Sequence, residues 1–374
     1  MPLRTVRRAC LALAALGVVA CAGPAPAAPT AQAPAKGAPA AAPAAAASPA
    51  APAAPPELKK ISLVMPNSSF YMVPVLLAKE KGYFRDEGLD LDITMTGAGS
   101  KAVAAVVGGS ADIGAMEFSD TLAAVAKKQP IQGFAAFCTE PTVSVVMKKS
   151  AADQRGLTDQ SPLDDKLKAL KGLKIAITAP GSGTDSSLRW ALLKVGLDPD
   201  KDVEIVSSGS AQNELAAFAQ GQVDALSQVS PWVELAVAKN DGFLVVSFPR
   251  GDVPEQKGRL SFALAALRDS MDKNPELYTS ATRAVWRGLK FVAEQPDEAK
   301  KLAKETMFAE VDPPVYDLAW KINLPSYPRD PRFTEQHVQL NVDFKARVTG
   351  EKLDIPFDQA VTNRFVDAAA NTMR

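Results

Sequence analysis

Short apolar runs and longer stretches of helical period alternate through the first two thirds of the chain. Residues 61–65 (ISLVM) and 89–95 (LDLDITM) put apolar side chains on every second position, the pattern of half-buried strands. Residues 111–115, 174–177 (KIAI), 203–206 (VEIV) and 243–248 (FLVVSF) are apolar runs of strand length. Between them lie helical patterns over 70–81, stopped by Gly82, and over 102–107, ended by Gly108 and Gly109. Two more cover 184–195 and 211–220. Strands alternating with helices predict α/β architecture, with mostly parallel sheets covered on both faces. Beyond Ser270 the pattern changes, and everything to Arg374 reads as helices with polar breaks.

The pattern also repeats internally. Gly99-Ser100, a helix and Gly109-Ser110-Ala111-Asp112 return as Gly209-Ser210, a helix and Gly221-Gln222-Val223-Asp224. In each copy an aspartate precedes the next strand. Two lobes built on one plan, with a ligand cleft between them, would produce this echo.

The N-terminus has a different grammar. Arg4, Arg7 and Arg8 precede an apolar stretch over 9–20, too short for the roughly 20 residues that span a bilayer. It ends in Val18-Val19-Ala20-Cys21, which resembles a bacterial lipobox and makes Cys21 the expected lipidated residue. An ordinary signal peptide cut nearby is the alternative. Residues 22–56 hold 19 Ala, 10 Pro and one charge, Lys36. Such a stretch cannot bury a core, and its prolines favour an extended, semi-rigid tether.

Composition narrows the function classes. Without Arg4, Arg7 and Arg8 the chain keeps 39 basic against 42 acidic residues, with no basic tract, which argues against nucleic acid as a partner. Cys138 is the only cysteine after the leader, so no disulfide framework exists, and it is expected as a small buried hydrophobe. His337 is the single histidine, leaving His-based metal sites and Ser-His-Asp chemistry little to work with. No cofactor and no metal are expected.

Ordered stretches over residues 58–370 resemble a known family. VPVLLAKEKGYFRDEGLDLDITM, GAGSKAVAAVVGGSADIGA, PGSGTDSSLRWALLKVGLDPDKDVEIV, LAAFAQGQVDALSQVSPWVELAV and NPELYTSATRAVWRGLKFVAEQPDEAKKLAKE follow one another. Together they are similar to solute-binding proteins of bacterial ATP-driven importers, in the sulfonate, taurine, nitrate and thiamine-precursor binding group. The resemblance implies a two-lobed periplasmic-binding fold of type II. Its divisions would be a signal peptide over 1–21, a tether over 22–56, lobe one over 57–147 and 248–374, and lobe two over 148–247. Hinge strands are expected near 143–149 and 243–249. The implied partners are a small-molecule ligand, an ABC permease and its ATPase, and a membrane reached through the lipid anchor only. The domain is expected to be an extracytoplasmic monomer, periplasmic or at the cell surface. A ligand sensor reporting to a membrane receptor is the alternative.

The resemblance, with the rule that open-sheet ligands sit at the carboxyl ends of strands, points to particular loops. From lobe one these are Asn67, Ser68, Phe70 and Tyr71, then Gly99 and Ser100, then Glu117, Phe118 and Ser119. From lobe two they are Ser182, Gly183 and Thr184, then Ser208 and Gly209, then Gln228, Pro231 and Trp232. The stretch TAPGSGTDSS over 178–187 opens a helix, and Ser182 or Thr184 is expected to cap it. Such a start suits an anion, and Trp232 with Tyr71 would face an apolar or planar body. A sulfonate or carboxylate is favoured over a neutral heterocycle, although Glu117 would repel an anion if it faced the cleft. Catalysis is not expected. GSGT fits neither a phosphate-binding P-loop nor a dinucleotide fingerprint, and the cysteine-rich, histidine-bearing site of the fungal thiamine-precursor enzymes has no counterpart.

Overall fold

The computed structural model describes residues 57–373, so the leader, the tether and Cys21 lie outside the described residues. Ten strands form two sheets. The first contains β1 (Lys59–Met65), β2 (Leu89–Met95), β3 (Ile113–Glu117), β4 (Ile131–Cys138) and β10 (Phe262–Leu267), in the order β2-β1-β3-β10-β4. The second contains β5 (Val143–Lys148), β6 (Lys174–Ile177), β7 (Glu204–Ser207), β8 (Ala225–Val229) and β9 (Gly242–Ser247), in the order β7-β6-β8-β5-β9. Both sheets belong to one unit, Pro55–Arg374.

Each sheet is mixed for the same reason. β1, β2 and β3 pair in parallel, as do β6, β7 and β8. The odd strand, β10 in the first sheet and β5 in the second, lies antiparallel to both its neighbours. These are the strands that immediately follow a crossing of the chain from one sheet to the other. β5 pairs only with second-sheet strands, so the expected lobe boundary at 147/148 moves forward, to the segment between β4 and β5. The return runs between β9 and β10, later than residue 247.

The period-two pattern in the sequence becomes two-sided burial. Ile61, Leu63 and Met65 enter one core while Val64 enters the core on the opposite face of the sheet. In the second sheet Ile175 and Ile177 separate from Ala176 in the same way. A fully buried Ile, Leu or Phe contributes about 1.5–3 kcal/mol through removal of its apolar surface from water, so each face is strongly specified. Slipping a strand by one residue would exchange the two sets.

One helix ties the halves together. Glu335–Thr349 starts at Thr334, whose hydroxyl accepts from the His337 amide, while His337 returns the bond through Nδ1. Val338 and Val342 of this helix pack into the first-sheet core, beside Phe118 and Leu122. Phe344, further along, packs into the second-sheet core with Trp190 and Phe248. The helix therefore spans the junction between the lobes.

Candidate functional site

The carboxyl ends of β1, β3, β6 and β8 converge on a cavity of about 30 Å³ between the lobes. That is room for a water or two, so the lobes stand closed on each other. The first lobe contributes Pro66, Asn67, Tyr71, Gly99, Glu117, Asp120 and Phe262 to its wall. The second contributes Val143, Thr178, Ser182, Gly183, Thr184, Gln228 and Val229. At the rim, the Gly97 loop abuts the Gly209 carbonyl across the gap, so close that a Cβ at Gly97 would sit 2.7 Å from that oxygen.

Glu117 is the last residue of β3 and is 3% exposed. Its Oε1 accepts from Arg259 Nη1 at 3.1 Å, and Arg259 is fully buried. Arg259 comes from the return crossing. Its guanidinium lies 4.0 Å above the Phe344 ring and also donates to Asn341 Oδ1 at 3.3 Å. The other oxygen of Glu117 rests against Gly183, where any Cβ would collide with it. The carboxylate of lobe one thus reaches the start of the lobe-two helix Gly183–Lys194. The first amides of a helix have no intrahelical acceptor and carry partial positive charge.

Asp120 does the same within its own lobe. Its Oδ2 sits where a Cβ of Gly99 would be, at the start of the helix Gly99–Val107. It is 4% exposed, and neither oxygen has a hydrogen-bond partner. Burial raises its carboxyl to about 8, against the pull of Lys345. Lys345, itself buried, donates to Ser186 Oγ at 2.9 Å.

The turn at 178–187 is built differently from expectation. Ser182 occupies the N-cap position of the Gly183–Lys194 helix but makes no side-chain capping bond. Its hydroxyl and those of Thr178 and Thr184 instead bond one another, each pair at 2.9 Å. Thr184 Oγ1 also accepts from the Thr178 amide at 3.1 Å, and Asp185 accepts from the Gly181 amide at 2.7 Å. The hydroxyls hold the loop rather than the helix end. Opposite, Tyr71 stacks on Phe262 with centroids 3.6 Å apart and donates to Asn67 Oδ1 at 3.0 Å. Burial pushes the Tyr71 hydroxyl well up.

Of the residues expected in the cleft, Asn67, Tyr71, Gly99, Glu117, Ser182, Gly183, Thr184 and Gln228 line the cavity. Others do not. The Phe70 ring stacks on Phe308 at 4.4 Å inside the core of the C-terminal helices. The Phe118 ring packs toward Phe333 in the first-lobe core, because the first turn of its helix points it away from the strand ends. Trp232, expected to face the ligand, is half-buried against the first-lobe core. Pro231, which follows a cis peptide, is buried beside it. Ser119 stands behind Glu117 and donates to its Oε1 at 3.4 Å. Ser68, Ser100 and Ser208 are half-buried outside the cavity wall, and Gly209 stays at the rim.

Sequence reasoning missed Asp120, Thr178, Phe262 and Arg259. Asp120 carried a usable signal, lying one helical turn after Glu117. A larger groove of about 1170 Å³ follows β9 and the helix Pro313–Asn323, away from the Glu117–Arg259 pair. Among the described residues no group of three His, Cys, Asp or Glu could hold a metal ion, and no helix is long and apolar enough to cross a membrane.

The family model described as NMT1/THI5 like matches residues 69–299. The chain belongs to the NMT1/THI5-like family. A protein of Bordetella bronchiseptica RB50 has a similar structure, with TM-score 0.75 and 29% identity, covering 84% of this chain and 98% of that one. The alkanesulfonate-binding protein SsuA of Xanthomonas axonopodis pv. citri, bound to MOPS, shares the fold at TM-score 0.61 and 19% identity, covering 79% and 94%. Both structures share the fold seen here. The bicarbonate-binding protein CmpA of Synechococcus is 27% identical over 234 residues, 59% of this chain and 50% of its own length. A yeast 4-amino-5-hydroxymethyl-2-methylpyrimidine phosphate synthase, THI5, is 32% identical over a shorter 105 residues, 28% of each chain.

Proposed function

We propose that this protein is the solute-binding component of an ATP-driven importer. A lipid-anchored extracytoplasmic domain captures a small polar organic solute between two lobes and delivers it to a permease and its ATPase. The observation that carries this reading is the cavity itself, walled by the strand ends of both sheets, between which the chain passes from strand to strand at β4–β5 and β9–β10, with the helix Glu335–Thr349 as a third tie. A solute held there touches both lobes, and only contacts that differ between open and closed forms can shift that equilibrium. The names of SsuA and CmpA as binding proteins support the same reading. Binding is favoured over catalysis because Cys138, the last residue of β4, is buried and His337 serves a helix start, neither lining the cavity.

The test is a thermal-shift screen of small solutes, followed by small-angle scattering with the best one. A solute at 100 times its Kd adds ~2.7 kcal/mol of stability, and closure on saturation reduces the radius of gyration. A library without a stabilising solute, or an unchanged radius on saturation, defeats the reading. The anchor is tested separately. Cys21→Ser is expected to release the protein from the membrane fraction, and retention equal to wild type would remove the lipid from the proposal.

A further inference from the structure

We infer that the groove along β9 is a second binding site, separate from the cleft, for a small amphipathic amine that sets its nitrogen against Glu234 and its apolar body against Val237 and Leu318. The inference goes beyond the solute-binding reading and does not rest on it. The groove, of about 1170 Å³, shares no lining residue with the cavity between the strand ends. Ligand pockets commonly occupy about 300–1,000 Å³, so a small molecule fits easily. Its walls include the edge strand β9, the helix Trp232–Lys239 and the helix Pro313–Asn323. Three large apolar side chains are exposed among the described residues, and two of them stand here, Val237 at 41% and Leu318 at 51%. Val315, Leu318 and Ile322 recur at helical spacing, so Pro313–Asn323 turns an apolar stripe to the groove. Tyr316, Ala319 and Trp320, on another face of that helix, fill the core of the C-terminal helices. Apolar surface left open in this way marks a binding groove.

Glu234 gives the groove its chemistry. It lies one helical turn before Val237, so the acid and the apolar side chain share a helix face. At 6% exposed it is the one ionisable side chain of the lining that is buried. Ser230 Oγ donates to its Oε1 at 2.8 Å, and its Oε2 has no partner among the described residues. The cations of the lining do not reach it. Lys149 pairs with Asp153 at 2.6 Å, Lys166 donates to the Asp159 carbonyl at 2.8 Å, and Arg250 is exposed. A buried carboxyl oxygen without a partner carries a desolvation cost. Burial also raises the Glu234 carboxyl. An arriving amine reverses that shift, because a cation within about 4–6 Å favours the ionised form. A free amine takes the Glu234 proton itself, and an ammonium displaces it to water. Both routes end in one ammonium–carboxylate pair, a charge-assisted bond, with Ser230 still on the other oxygen. An apolar body without the nitrogen would leave Oε2 unpaired.

The experiment titrates hexylamine, hexan-1-ol and hexanoate, which share one apolar chain, into the purified protein at matched ionic strength. Hexylamine is expected to raise the melting temperature and to give a saturable calorimetric isotherm. Hexan-1-ol should bind at least about tenfold more weakly, the size of one charge-assisted hydrogen bond, and hexanoate should not bind. Glu234→Gln, a near-isosteric change, should bring the amine down to the affinity of the alcohol. Leu318→Ser, at an exposed position, should weaken amine and alcohol alike by about fourfold, the worth of one buried methylene. Circular dichroism and the unliganded melting curve establish that the variants are folded. If Glu234→Gln does not fold, the alcohol comparison and Leu318→Ser carry the test. Equal affinity for amine and alcohol, or undiminished amine affinity in either variant, overturns the inference. An amine that responds to Asp120→Asn and not to Glu234→Gln sits in the cleft, which also overturns it. Light scattering that finds a dimer broken by Leu318→Ser gives the groove to a second copy of the chain, and the inference falls. Each of these failures leaves the solute-binding reading standing, since that reading is judged by closure of the cleft.

Discussion

In the first lobe Asp112, just before β3, accepts the amide of Ser62 on β1 at 2.8 Å. In the second, Asp224, just before β8, accepts the amide of Lys174 on β6 at the same distance, and each pair spans 50 residues. The strand orders agree as well, with an antiparallel strand from beyond a crossing in the fourth place of each list. The helices that precede β3 and β8 then diverge. Ser210 caps its helix by accepting from the Asn213 amide at 3.2 Å. Its counterpart, Gly99–Val107, starts from Ala98 with no side-chain cap and is faced by Asp120. Positions that repeat build the scaffold, and positions that depart from the repeat build the site.

The largest effect is expected where the site departs furthest from the repeat. Arg259→Met leaves Glu117 buried without its cation, and breaking such a pair costs about 3–5 kcal/mol in urea denaturation. Combining it with Glu117→Gln should return most of that loss. A single-variant loss no larger than that of a surface change would show that the pair is not needed to hold the closed lobes.

Next is close approach. Gly183→Val places a side chain where Glu117 sits, and Gly99→Val does so at Asp120. Neither glycine has a positive φ. The lobes of Gly183→Val should therefore fold but fail to close, with affinity for any identified solute reduced about 100-fold, or ~2.7 kcal/mol, whereas Gly99→Val crowds Asp120 inside the first lobe and should leave closure intact. Calorimetry gives the affinity and scattering the closure. Equal failure to close in both variants would break that distinction.

The shared scaffold is probed by Asp112→Ala and Asp224→Ala. Each should cost about 1 kcal/mol through the lost bond to a strand amide. Asp112 should cost somewhat more, because it also accepts from Ser62 Oγ at 2.7 Å. A negligible cost in one lobe and a large one in the other would break the equivalence.

The smallest change, read below about pH 4, is expected for Asp120→Asn, since Asn imitates a protonated acid. The difference appears on titration. The native carboxyl, raised from 3.8 to about 8, keeps its proton where the unfolded chain releases it. Its contribution is fully present below about pH 4 and is lost as pH rises toward 8. The variant should lack that decline. Glu214 and Glu234, also raised by burial, remain in both proteins, so the difference between the two melting profiles isolates Asp120. Parallel profiles would show that Asp120 is not held protonated.

Local pattern made much of the scaffold legible. KIAI became β6 with the expected ends, and LDLDITM became β2. The helix expected from 102 starts at Gly99, because a glycine at the first turn hides the beginning of the apolar face. β4 and β10 went unseen, since strands buried on both faces show no alternation, and β8 was marked only by the echoed aspartate, Asp224. The site was legible at Glu117 and Gly183, each beside a recognisable strand end. Phe70, Phe118 and Trp232 misled because an aromatic ring near a cleft can turn into either of two cores, and neighbouring residues do not say which.

By itself the sequence determined what depends on near neighbours: the alternation of strands and helices, the doubled plan and the glycines that begin helices in the cleft. Periodicity and turn chemistry act over a few residues, so they can be read along the chain. Only the tertiary structure decided which charges meet. Glu117 and Arg259 are 142 residues apart and touch because β10 inserts between β3 and β4 and carries the return crossing with it. The isolation of Asp120 is still less local. Lys345 donates to Ser186 and Arg259 to Glu117 and Asn341, and desolvation gives that isolation its energetic weight.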